Sequence, residues 1–124
     1  MATVLIVDDE FGIAELLDAV LADDGHTVLT AANGRQGLAR VAAQRPDLIV
    51  LDFMMPVMDG PAMLAALRTD PATREIPVVL MSSMPEETVR ARASGHAAFL
   101  RKPFRIRQVR ELVERLLAGR DGDG

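Results

Sequence analysis

Short, wholly apolar runs alternate along the chain with longer segments in which apolar residues recur every three or four positions, a pattern that predicts strands and helices in turn. Thr3-Val4-Leu5-Ile6-Val7 reads as a strand, and Ile13, Leu16, Leu17, Val20 and Leu21 follow at helical spacing. After the Asp24-Gly25 stop, His26 to Ala31 gives a second strand, and Gly34 to Gln44 a second helix with Leu38 and Val41 facing inward. Leu48-Ile49-Val50-Leu51 is a third strand, too apolar to have a wet face, which predicts a place in the middle of a parallel sheet.

Pro61 to Arg68 makes a third helix and Pro77 to Met81 a fourth strand. Pro85-Glu86-Glu87 opens a fourth helix, with a proline start and acids in its first turn, both of which suit a helix amino end. That helix offers mainly Val89, Ala91 and Ala93 for packing, so little buried area holds it and it is expected to be the mobile element. Ala97 to Leu100 is a short fifth strand. The last helix places Val109, Leu112, Val113, Leu116 and Leu117 on one stripe, with Gly119 closing it and a disordered tail over 120–124. Five strands alternating with five helices predict right-handed crossovers and an α/β architecture, a parallel sheet covered on both faces. Functional groups in such sheets gather beyond the carboxyl ends of the strands, near the reversal of strand order.

A length of 124 residues fits one domain, expected over 1–119, with no internal repeat or interdomain linker. There is no cysteine, which excludes a disulfide framework and a thiolate metal site. The start Met1-Ala2-Thr3 lacks a basic region, and no apolar run approaches the roughly 18 residues of a membrane span, so a soluble cytoplasmic protein without membrane attachment is expected. Charge is unevenly laid out. The first 34 residues hold seven acids and no Lys or Arg, whereas Arg101 to Arg120 holds seven basic residues against Glu111 and Glu114. One region can attract cations and another acidic partners.

The residues just after the predicted strands are Asp8 and Asp9, Asp52, Ser82 and Lys102. Each alone has a plain explanation as a helix cap, a strand end or a solvated charge. On one rim together, three carboxylates repel and raise one another's pKa unless a cation intervenes. Magnesium, with its octahedral oxygen shell and retained waters, suits two or three carboxylates plus a carbonyl. Phosphoryl transfer needs in-line positioning and cations more than covalent help, and Lys102 is the only lysine among 14 basic residues. Asp52 then becomes a nucleophile able to form an acyl phosphate.

Through Val7-Asp8-Asp9, Leu51 to Gly60, Pro77 to Ser82 and Lys102-Pro103-Phe104, the chain resembles the receiver domains of two-component response regulators along nearly its whole length. The resemblance is to the stand-alone, single-domain type, and it implies a three-layer (βα)5 flavodoxin-like, CheY-like fold with sheet order 2-1-3-4-5. It also implies that Asp52 is the phosphoacceptor and that magnesium, or manganese in its place, is held by Asp8, Asp9, Asp52 and the Met54 carbonyl. Lys102 would contact the phosphoryl oxygens, Ser82 would be the switch hydroxyl and Phe99 the switch aromatic. A cis peptide between Lys102 and Pro103 is implied as well.

Two departures stand out. Ser83 occupies a position where the family generally has a small residue, often Ala or Gly. Met54 and Met84, two residues beyond Asp52 and Ser82, hold the positions that influence water attack on the acyl phosphate. A thioether is a weak acceptor with no proton to give, so slow self-dephosphorylation is expected. Asp59-Gly60 reads as a turn before Pro61, and His26 and His96 lack any paired acid that would make them phosphodonors.

By the resemblance, partners are a histidine kinase or histidine phosphotransfer protein and a downstream protein reached through the face of helix 4, strand 5 and helix 5. Arg90, Arg92, Arg101, Arg105, Arg107 and Arg110 cluster in and around that region; a solvated helix face is the plain alternative. Direct nucleic-acid binding is not expected, since no helix-turn-helix follows and the pI is near 5. A monomer or weak dimer is expected, with no reaction catalysed beyond its own phosphorylation and dephosphorylation. Two rivals remain at this stage: a phosphorylation-independent interaction module with the same fold, and a phosphohydrolase with an aspartyl nucleophile, against which stands Met54 where a second acid is needed.

Overall fold

Residues 2–122 are described by the computed structural model. Five strands, β1 (Thr3–Val7), β2 (Thr27–Ala31), β3 (Leu48–Asp52), β4 (Val78–Ser82) and β5 (Ala98–Arg101), alternate with five helices. These are α1 (Phe11–Asp23), α2 (Gly34–Ala43), α3 (Gly60–Thr69), α4 (Glu86–Arg90) and α5 (Ile106–Gly122). The sheet is parallel throughout and its order is β2-β1-β3-β4-β5, as expected. All five residues of β3 are buried, which explains why that strand has no polar alternation.

Alternate residues of the inner strands feed two cores. Val4, Ile6, Leu48, Val50, Val79 and Met81 join Leu17 and Leu21 of α1 and Val109 and Val113 of α5 on one face. Leu5, Val7, Ile49, Leu51, Val78 and Leu80 join Val41 of α2, Met63, Leu64 and Leu67 of α3 and Val89 of α4 on the other. Each face thus buries one side of the pleat under its own helices.

Strand limits shift by about one residue from expectation, which is ordinary for element ends. Three larger differences have physical causes. α4 has only five residues: Val89 is its sole buried residue, and past Arg90 only the small side chain of Ala93 reaches the second core, too little apolar area to extend the helix. Leu16, expected on the inner stripe of α1, is 43% exposed: Ala14, Leu17, Val20 and Leu21 already fill the contact with the sheet. α5 runs through Gly119 to Gly122, since Gly119 is not among the positive-φ residues and has open space around it, so it acts as a weak helix former and not as a stop. Of the expected disordered tail, residues 123–124 lie outside the described residues. No helix among the described residues is long and apolar enough to cross a membrane.

Candidate functional site

Strand register brings the expected residues together. Val7 pairs with Leu51, so Asp8 and Asp52 leave neighbouring strands at the same level. Asp52 in turn is level with Met81, and the Phe53 N–H donates to the Met81 carbonyl at 2.8 Å. Ser82 is level with Arg101, and the Lys102 N–H continues the ladder onto the Ser82 carbonyl at 2.9 Å. Asp8, Asp52 and Ser82 are the buried polar residues of this end, at 3%, 5% and 4% exposure. The Lys102–Pro103 peptide is cis.

Lys102 Nζ sits among three carboxylates, 3.1 Å from Asp52, 3.2 Å from Asp8 and 3.3 Å from Glu10. Burial raises the Asp8 pKa above the usual carboxylate range, although its hydrogen bond from the Glu10 N–H and the nearby ammonium oppose this. Burial and then repulsion from Asp8 push Asp52 up to about 6, with Lys102 opposing and Asp9 adding to the rise. Burial works against charge on Lys102, but its hydrogen bond to Asp52 and the field of both aspartates outweigh it, so its pKa lies above normal. At neutral pH one ammonium faces three carboxylates, and the surplus negative charge favours a further cation.

Glu10 is the residue that sequence reasoning missed. One carboxylate oxygen each from Asp8, Glu10 and Asp52 fall within 4.8 Å of one another, a grouping able to hold a metal ion. The expected Asp9 is exposed and borders the cavity without joining that close trio. The signal was present in the uninterrupted run Asp8-Asp9-Glu10, where the Glu10 N–H turns back onto Asp8 at 2.8 Å. All-oxygen donors with no imidazole or thiolate among them suit a hard divalent cation such as magnesium, manganese or calcium.

A cavity of about 610 Å³ opens over this cluster, lined by Asp9, Glu10, Asp52, Ser82 and Lys102, with Ile13, Leu16 and Phe104 on its apolar side. Met54 borders it at 67% exposure, and so does the exposed Ser83. Met84 packs instead against the second core, while its N–H donates to Ser82 Oγ at 3.0 Å. Phe99 is half-buried against the same core. Asp59 caps α3 by accepting from the Ala62 N–H at 2.9 Å. At Gly60 a Cβ would collide with the Asp52 carbonyl oxygen, so only glycine lets the α3 start pack against the end of β3. Neither histidine reaches the site: His26 Nδ1 accepts from the Ala2 N–H, and His96 lies near Arg68 and Arg90.

The arginines expected on a single face divide. Arg110 reaches α1, bonding Asp24 at 3.0 Å and approaching Asp23 at 3.6 Å. Arg90 and Arg92 border a groove against α3, leaving Arg101, Arg105 and Arg107 exposed along β5 and the start of α5.

Residues 4–114 match the family profile of the response regulator receiver domain. Response regulator PleD of Caulobacter vibrioides is 41% identical over 105 residues, 83% of this chain but only 23% of PleD. Protein PilH of Pseudomonas aeruginosa is 34% identical over 121 residues, which cover 96% of this chain and 100% of PilH. The solved receiver domain of a signal transduction histidine kinase from Syntrophus aciditrophicus superposes with a TM-score of 0.88 at 36% identity, covering 96% of this chain and 92% of that one. The chain therefore spans less than a quarter of one relative and the whole of another.

Proposed function

Because the chain belongs to the response regulator receiver domain family, we propose that it is a phosphorylation-activated switch whose Asp52 takes a phosphoryl group from the phosphohistidine of a histidine kinase or histidine phosphotransfer protein. The observation that carries this reading is the buried Asp52 carboxylate at the end of the central strand, 3.1 Å from the only lysine and open to the cavity. An Asp52 oxygen attacks phosphorus as the donor's P–N bond breaks, and the imidazole leaves with the bonding pair and takes up a proton. Lys102 is placed to follow the transferred oxygens, and the Ser82 hydroxyl, now accepting from Met84, is the group able to turn toward them.

Magnesium is the cation proposed, held by Asp8 and Asp52 with Glu10 at its margin and, by family resemblance, Asp9 and the Met54 carbonyl. When bound it neutralises the phosphoryl oxygens. The chain's own part is to fix the carboxylates, keep Asp52 largely buried at the cavity floor and hold Lys102 charged. It transforms no external metabolite in this reading and works in the cytoplasm, where such donors reside. Phosphorylation shifts a pre-existing balance at α4, β5 and α5, with Ser82 and Phe99 as the linked switch residues and a protein as the target.

Incubation with acetyl phosphate, followed by a phosphate-affinity gel, tests the reading. A retarded band that needs magnesium and vanishes in Asp52→Ala is expected; an unshifted wild type would favour the phosphorylation-independent module.

A further inference from the structure

On the α3 side of α4 lies a groove of about 710 Å³ bordered by Arg68, Arg90 and Arg92 over a floor that includes Pro61, Ala65 and Ala93. We propose that this groove docks an acidic peptide segment of a partner protein, its carboxylates meeting the three arginines and its small apolar side chains resting on the floor. The inference is independent of phosphorylation at Asp52.

Arg68 is the fixed point. Its Nε donates to the Gly95 carbonyl at 2.7 Å, and one terminal nitrogen donates to the carbonyls of Arg74 and Ile76 at 2.9 and 3.0 Å. These bonds hold the guanidinium without neutralising it, because none of the three acceptors carries a charge. Gly95, at φ +92°, makes the approach possible: a side chain there would crowd Arg68. Arg92 is also without a carboxylate within 4.0 Å among the described residues, lying instead 5.5 Å from the centre of the Phe53 ring. Arg90 alone has an acid, Glu86 at 2.7 Å, and both of these side chains are exposed.

His96 has a lowered pKa, chiefly from burial, then from Arg90, with Glu86 opposing and Arg68 adding to the effect. The His96 Nδ1 is buried and has no hydrogen-bond partner among the described residues.

Shape decides the kind of anion. Pro61, Ala65, Arg68 and Thr69 follow one stripe of α3, about 12 Å long at 1.5 Å per residue. A channel of that length with an apolar floor exceeds what a single phosphate or free carboxylate would fill. A peptide alternating acidic and small residues matches both its charge and its floor.

The test is fluorescence anisotropy of a labelled Glu-Ala repeat peptide at physiological ionic strength, with amide NMR shifts mapped in parallel and a Lys-Ala repeat and an oligothymidylate as comparison probes. Saturable binding of the Glu-Ala peptide is expected, with shifts confined to 61–69 and 90–96. Arg92→Gln should weaken it by about three- to tenfold, the range of one partly exposed charge pair. Arg105→Gln should leave it unchanged. Arg92→Gln keeps the Arg68 clamp intact, so a loss there is not unfolding, and amide spectra check the same for Arg68→Gln. Absence of saturable binding, undiminished affinity in Arg92→Gln with Arg68→Gln, shifts centred on Arg105 and Arg107, or tighter binding of the oligonucleotide would each overturn the proposal.

Discussion

Lys102 Nζ stands 3.1 Å from Asp52 Oδ1 although the two residues are 50 positions apart, and that contact joins the central strand to the far edge of the sheet. It is not a simple pair, since Asp8 and Glu10 share the ammonium and Asp52 remains incompletely compensated.

A first consequence concerns pH. A carboxylate whose folded-state pKa is raised supports folding below its unfolded value near 3.8 and loses that support as pH rises through about 6. With chelator present, Asp52→Asn should therefore be more stable than wild type at pH 7 by about 1–3 kcal/mol, the order of a shift of roughly two units. The gain should fade as pH falls to about 4, where wild-type Asp52 is protonated. Urea melts across that interval check it, and a variant less stable at pH 7 would contradict it.

Magnesium should act oppositely at neutral pH. A ligand at a hundredfold excess over its dissociation constant adds about 2.7 kcal/mol to stability. Thermal melts should rise with magnesium in wild type and not in Asp8→Asn. Glu10→Gln should weaken the response by about tenfold in metal concentration, the size expected of a group that positions or supplements a ligand set. An unchanged titration would remove Glu10 from the site.

How much of this was legible follows from what each residue depends on. The strand order and the meeting of Asp8, Asp52, Ser82 and Lys102 could be read because each follows an apolar run, and parallel strands end on one rim. Glu10 escaped because its role depends on a local turn, the N–H of Glu10 bonding Asp8, which spacing alone does not encode. Arg68 escaped for a similar reason: its partners are carbonyls of Arg74, Ile76 and Gly95, and backbone acceptors leave no mark on the sequence. The arginine cluster looked continuous along the chain, yet Arg90 and Arg92 border a groove beside α3 while Arg110 pairs with the acids at the end of α1.

The acyl phosphate should be long-lived. Met54 borders the cavity with a thioether, and Met84 turns into core packing, so neither presents a group that orients water strongly. Decay of the phosphorylated form should be at least several-fold faster in a Met54→Asn, Met84→Glu double variant, the scale of a modest acid–base or hydrogen-bonding contribution. Equal or slower decay in the variant would contradict this.

Val57, in the loop between Asp52 and α3, has φ +67°, a conformation that is strained for a β-branched residue, and it is 76% exposed. Val57→Gly should raise stability by about 0.5–1 kcal/mol, the relief of strain exceeding the entropy that glycine adds to the unfolded chain. Denaturant unfolding reads the sign directly.

The central claim, that Asp52 is the esterified carboxylate, is tested most directly by borohydride trapping after treatment with acetyl phosphate and magnesium, since reduction of an aspartyl phosphate leaves homoserine. Peptide mapping should find homoserine at position 52 alone. Homoserine at Asp8 or Asp9, or a stable label on His26 or His96 with Asp52 intact, would contradict the account.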